Sequence, residues 1–111
     1  SLEKKEDKDK IWRKFYNHKL QHEYRKIFNC FSEIIYIKPR NFSTILNWRL
    51  KQEKMMKVRS NIKKSMSKKQ IHNFIQYYEK ITKWMILKMP QIANLTIYVD
   101  NKQKINKLKI K

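Results

Sequence analysis

Apolar residues recur at steps of three and four from Asp9 onward: Trp12, Phe15, Tyr16, Leu20, Tyr24, Ile27, Phe28 and Phe31. That spacing lays one wide apolar face along a long helix, and Asp9 suits its N-terminus both as a cap and against the helix dipole. Residues 1–8 are charged and read as a frayed lead-in. The period then changes. Glu33–Pro39 is a short, β-branched apolar run stopped by proline, which predicts a strand buried on both faces, as inside a parallel sheet. A second helix is expected from about Asn41 to Arg59. Residues 63–67 (KKSMS) read as a linker. Ser67, with Gln70 three positions later, forms a capping box that opens a third helix. Its stripe is Ile71, Phe74, Ile75, Tyr78, Ile81, Met85 and Met89, and Pro90 is expected to end it. Leu95–Val99 reads as a second strand and 100–102 as a turn. Residues 104–111 alternate weakly at Ile105, Leu108 and Ile110, as a short final strand or a basic tail.

This order predicts an α/β fold: three helices packed on a small, mostly parallel sheet of two or three strands, with a crossover between parallel neighbours. One domain is expected over 9–111. The chain has 111 residues, 41% hydrophobic and 13% aromatic, enough for one modest core and too apolar for disorder throughout.

Composition removes several chemistries. There is no glycine, so neither a GxxxxGK[ST] phosphate loop nor a GxGxxG turn can be built within this chain. The nucleophile elbow is excluded on the same ground. Cys30 is the single cysteine, which rules out an internal disulfide; its apolar surroundings predict a buried thiol in a reducing compartment. No apolar run approaches the ~20 residues of a membrane span, and the charged N-terminus lacks a signal peptide's apolar core, so a cytoplasmic protein without membrane contact is expected. A first residue of Ser1 reads as a processed, trimmed or partial product.

The formal charge is +19, carried by lysine more than arginine. Two readings stand. Lys, Ile and Asn have AT-rich codons, so base bias in the genome can load a solvated surface with lysine. Alternatively the charge serves a polyanion. The basic residues gather at 102–111 and at 54–69, the latter with Lys57, Arg59, Lys63, Lys64, Lys68 and Lys69 beside a helix N-terminus that favours phosphate. Core-facing aromatics leave little for base stacking, so nucleic acid would be held weakly, through its phosphates.

On a wheel of about 100° per residue, Phe42, Ile45, Leu46, Trp48, Leu50, Met55 and Met56 share one arc of the second helix. Ser43, Thr44, Asn47, Lys51, Lys54 and Val58 lie opposite. Arg49, Gln52 and Glu53 fall inside the apolar arc, where polar groups need partners. They are either a polar trio presented to a ligand, or an Arg49–Glu53 pair at i, i+4 with Gln52 bonded to backbone. His18 and His22 share a helix face, but two ligands do not make a zinc site, and no metal is expected. His72 reads as a partly exposed surface residue. No catalytic residue is assigned.

Over Trp12–Ile105 the chain resembles the C-terminal third of P-loop small-molecule kinases of the D-glycerate 3-kinase and uridine kinase-like group. The carrying residues are Trp12, Asn17, Leu20 and Tyr24, then Ile34–Pro39, then Trp48-Arg49-Leu50-Lys51-Gln52-Glu53. Met66-Ser67, Gln70-Ile71, Phe74, Tyr78 and Asn94–Val99 complete it. Ser65 stands where the family usually has glycine. The resemblance implies a sheet shared with an N-terminal half that holds the ATP loop. ATP and Mg are thus implied for the complete enzyme and no cofactor for this chain alone. It also implies that Arg49, Gln52 and Glu53 face the substrate or a phosphate. The expected partner is a separate N-terminal kinase half, or a second copy through self-association. The expected function is a catalytically incomplete C-terminal fragment or remnant of a glycerate- or uridine-type kinase; the alternative is a small basic module that binds nucleic acid non-specifically.

Overall fold

The computed structural model describes residues 2–60 and 65–111, and the chain divides into two compact units, Ser1–Ile34 and Ile35–Lys111. The division falls inside the 9–111 span expected to be one domain. The first unit carries α1 (Leu2–Glu6) and α2 (Ile11–Phe28), so the lead-in is helical rather than frayed. Asp7, not Asp9, caps α2. Its carboxylate accepts the backbone N–H groups of Trp12 (3.2 Å) and Arg13 (3.1 Å) and the Arg13 Nε–H (3.0 Å). The turn between the helices is the reason. Lys10 adopts φ 61°, a left-handed conformation usually left to glycine, and the reversal brings Asp7 over the first turn of α2. Burial pushes the Asp7 carboxyl up, but the bonds from Arg13 and Trp12 outweigh it and hold the group below its ordinary range.

The apolar stripe of α2 is present, yet the helix holds no buried residue. Cys30, expected buried, is exposed. Beyond Phe28 the chain turns through a Cys30 N–H to Ile27 carbonyl bond, and the thiol folds back to donate to the Lys26 carbonyl at 3.2 Å.

The second unit runs β1 (Ile35–Lys38), α3 (Phe42–Ser60), α4 (Lys68–Gln76), α5 (Glu79–Ile92), β2 (Leu95–Val99) and β3 (Ile105–Ile110). The class is α/β as expected, with five helices among the described residues instead of three. The third expected helix breaks at Tyr77–Tyr78, where the Tyr77 and Tyr78 N–H groups donate three residues back, to Phe74 (3.3 Å) and Ile75 (3.0 Å). Such tightening ends one helical run and re-aims the next. Ser67 opens α4 with the full capping box: its hydroxyl accepts the Gln70 N–H (3.2 Å), and the Gln70 side chain accepts the Ser67 N–H (2.8 Å). Pro90 does not terminate α5, which continues to Ile92. This near the C-terminus, proline removes one intrahelical bond and no following turn depends on it.

The sheet order is β1-β2-β3. β1 and β2 are parallel, pairing Ile35 with Leu95 and Lys38 with Tyr98. β2 and β3 are antiparallel, so the sheet is mixed rather than mostly parallel. A tight turn explains the reversal. Asp100 Oδ1 accepts the N–H groups of Lys102 and Lys104 (2.8 Å each), and Gln103 takes φ 63° where a hairpin ordinarily places glycine. The register shifts beside it, between Tyr98 and Val99.

The core is small: Tyr36, Ile71, Ile75, Ala93 and Val99, with Thr44, Glu53 and Thr96 as its buried polar members. Tyr36 and Thr96 are register partners on the helix-covered side, where burial raises the Tyr36 phenol's pKa. β1 is therefore not buried on both faces. Ile35 and Ile37 are each 61% exposed, and Leu108 and Ile110 continue that open side across β3.

Candidate functional site

Helix α3 positions the site, and its start is set by Asn41. The Asn41 Oδ1 accepts the Thr44 N–H at 3.0 Å, the bond expected of an N-cap. Thr44 Oγ1 lies 2.9 Å from Asn41 Oδ1 and 3.0 Å from Asn101 Oδ1. One turn on, Trp48 Nε1–H donates to the Asn101 carbonyl at 2.9 Å. These contacts tie α3 to the β2–β3 turn. They also correct the wheel: Thr44, assigned to the wet side, is buried, because Asn101 brings a polar partner to it. Met55 and Met56, assigned to the apolar arc, are 44% exposed.

Beside Trp48, the Arg49 guanidinium meets Glu53 Oε2, one turn on, at 2.8 Å. Both are shielded relative to Lys51 and Lys54, which are exposed. Gln52 is exposed and sits at the edge, 3.4 Å from Arg49. The carboxylate is fully committed. Glu53 Oε1 accepts the Met66 backbone N–H at 2.8 Å, pinning the segment that leads into α4. That backbone bond, aided by Arg49 and by the charge of Lys57, holds the Glu53 carboxyl below its ordinary range against the opposing effect of burial.

The trio therefore divides. Arg49 and Gln52 line a cavity of about 710 Å³ along α3, together with Trp48, Met55, Arg59 and Gln103. Glu53, still paired with Arg49, lines a neighbouring depression with Met66, Lys68 and Ile71. Beyond Glu53, the Arg49 guanidinium reaches only the weak acceptors Gln52 Oε1 (3.4 Å) and Met66 Sδ (3.9 Å), and a guanidinium bordering a cavity in this way can receive a phosphate or carboxylate. Of the basic patch, Lys57, Arg59, Lys68 and Lys69 are exposed; Lys63 and Lys64 lie outside the described residues. His18 and His22 stack at 4.1 Å on the exposed side of α2, and among the described residues no cluster of three His, Cys, Asp or Glu occurs. No helix among the described residues is long and apolar enough to cross a membrane. Sequence reasoning missed Asn101 and Gln103, because nothing local announces that the β2–β3 turn returns to α3.

The helices and mixed sheet of Ile35–Lys111 define part of an open α/β sheet architecture. A solved structure of the YGR205w protein matches at a TM-score of 0.56, with 22% identity over 68% of this chain and 28% of that one. D-glycerate 3-kinase from Cryptococcus neoformans var. grubii matches at a TM-score of 0.56, with 24% identity over 69% of this chain and 28% of that one. The chain thus has a partial kinase fold and spans little more than a quarter of the length of either structure. No protein-family profile matches the sequence, and no curated protein does.

Proposed function

We propose that this chain supplies the C-terminal part of a glycerate- or uridine-type small-molecule kinase and turns over only with a polypeptide that carries the phosphate loop. The observation that carries the reading is the likeness to a D-glycerate 3-kinase over 69% of the chain. Phosphoryl transfer rests on backbone N–H groups and a lysine cradling the phosphates beside a metal ion. A chain without glycine has no such loop to contribute, so ATP and Mg would be held by the partner. In this reading Arg49 faces a phosphate or substrate carboxylate, Glu53 orients Arg49, and Gln52 is a neutral neighbour. The open side of the sheet, at Ile35, Ile37, Leu108 and Ile110, and the free edge of β1 are the surface for the partner half or for a second copy.

The test has two parts. The purified 111-residue chain, given ATP, Mg and either D-glycerate or uridine, is expected to transfer no phosphate. Tagged chain recovered from its own cells is expected to bring down a polypeptide bearing GxxxxGK[ST], and Arg49→Ala to abolish phosphoryl transfer by that complex without dissociating it. Turnover by the chain alone, or recovery without any P-loop polypeptide, overturns the reading. The second reading, a basic module that holds nucleic acid through its phosphates, draws support from the exposure of Lys57, Arg59, Lys68 and Lys69.

A further inference from the structure

A second group of cations, away from Arg49, stands at the carboxyl ends of β1 and β2. Parallel pairing sets Lys38 beside Tyr98, and antiparallel pairing sets Lys107 on the other flank of the same tyrosine. Register partners project from the same face of a sheet. The two ammonium groups accordingly converge on one ring, Lys38 Nζ at 5.3 Å and Lys107 Nζ at 5.7 Å from its centroid. The chain leaves β1 through Arg40 and leaves β2 through Lys102, and both line a cleft of about 530 Å³ with Lys38, Tyr98 and Asn106.

A single carboxylate lines the cleft, and it offsets only part of this charge. The acid in the cleft, Asp100, spends Oδ1 on the backbone N–H groups of its own turn. Among the described residues no ion pair involves Lys38, Arg40, Lys102 or Lys107. An aromatic face attracts a cation but does not cancel its charge, so the two lysines repel each other until an anion arrives. The cleft is also held in place from below: Asn101, between Asp100 and Lys102, is gripped by Thr44 and Trp48. Crevices outside the carboxyl ends of parallel strands are where open α/β sheets receive ligands.

We propose that Lys38, Arg40 and Lys102 in this cleft, with Lys107 on the far flank of Tyr98, bind a ligand that presents more than one phosphate group. The number follows from charge: four cations opposed by Asp100 alone exceed what a single phosphate group neutralises. Successive phosphates come from a polyphosphate tail or from a single-stranded nucleic-acid backbone.

The experiment titrates the full chain, followed by amide nuclear magnetic resonance at physiological salt. One arm uses inorganic tripolyphosphate, the other a short oligothymidylate. Shifts are expected to concentrate at residues 38–41 and 98–107 in at least one arm, and the arm that responds names the source. Arg40→Gln with Lys102→Gln, both at exposed positions, should weaken binding about tenfold or more, as the loss of two charge-assisted contacts implies. The charge-matched pair Lys14→Gln with Lys88→Gln should weaken it less than about twofold. In the oligothymidylate arm the dependence of log affinity on log salt should fall by about 1.4 for two lost phosphate contacts. No binding in either arm, shifts spread over lysines throughout the chain, or equal losses in both variants would overturn the proposal. The amide spectrum reports in the same samples that each variant is folded.

Discussion

Replacing Thr44 by valine tests the junction that holds α3 to the β2–β3 turn. Thr44 is 3% exposed, and its hydroxyl sits between Asn41 and Asn101. A hydroxyl has one proton, so it donates to one amide and serves the other as an acceptor when that amide presents its NH₂. Valine keeps the shape and removes both contacts. Each net hydrogen bond contributes about 0.5–1.5 kcal/mol, and a partner left unsatisfied and buried costs about 1–3 kcal/mol. Asn41 retains the Thr44 N–H, whose backbone the mutation spares, and it is exposed to water. The cost therefore falls mainly on the Asn101 side, and about 1–3 kcal/mol is expected in total. Urea denaturation measures it as a lower midpoint at unchanged slope. A second readout separates local from global loss. The Trp48 indole N–H bonds the Asn101 carbonyl at 2.9 Å, so its resonance should move in Thr44→Val and stay in place in Thr44→Ser. A Thr44→Val chain within about 0.5 kcal/mol of the parent, with the Trp48 resonance unmoved, would refute the argument.

Glu53 has a folded-state pKa below its unfolded value, so its stabilisation is complete above the unfolded pKa and is lost as pH falls through the lower, folded one. Glu53→Gln should therefore flatten the acid side of a stability-against-pH curve, and an unchanged acid limb would contradict the bonds assigned to it. Ile71, 2% exposed, should cost about 2–5 kcal/mol on truncation to alanine by equilibrium unfolding; a loss under about 1 kcal/mol would place it outside the core. Ile37→Lys puts a charge on the open side of the sheet; under the proposal that a second copy docks there, it should lower the sedimenting mass while leaving the monomer folded, because the parent side chain is 61% exposed, and an unchanged mass would count against that docking.

The local elements were legible where short-range chemistry decides them. Ser67 and Gln70 announce a helix start because both halves of a capping box lie within four residues, and α4 begins there. The β-branched run before Pro39 announces β1, and the i, i+4 spacing of Arg49 and Glu53 announces their pair. The lack of glycine likewise settles from composition alone that this chain carries no phosphate loop. What the sequence left open depends on which surfaces meet. Burial of β1 on one side only follows from where the helices of its unit pack, and no periodicity in four residues reports that. Asp7 displaced Asp9 as the cap because a left-handed Lys10 redirects the chain, and Thr44 went inside because Asn101, 57 positions away, offers it a partner. The split of Arg49 and Gln52 from Glu53 is of the same kind: a wheel places all three on one arc, but the Met66 N–H, 13 residues on, claims the carboxylate. The convergence of Lys38 and Lys107 on Tyr98 needs two strand pairings at once, one parallel and one antiparallel, so it exists only in the assembled sheet.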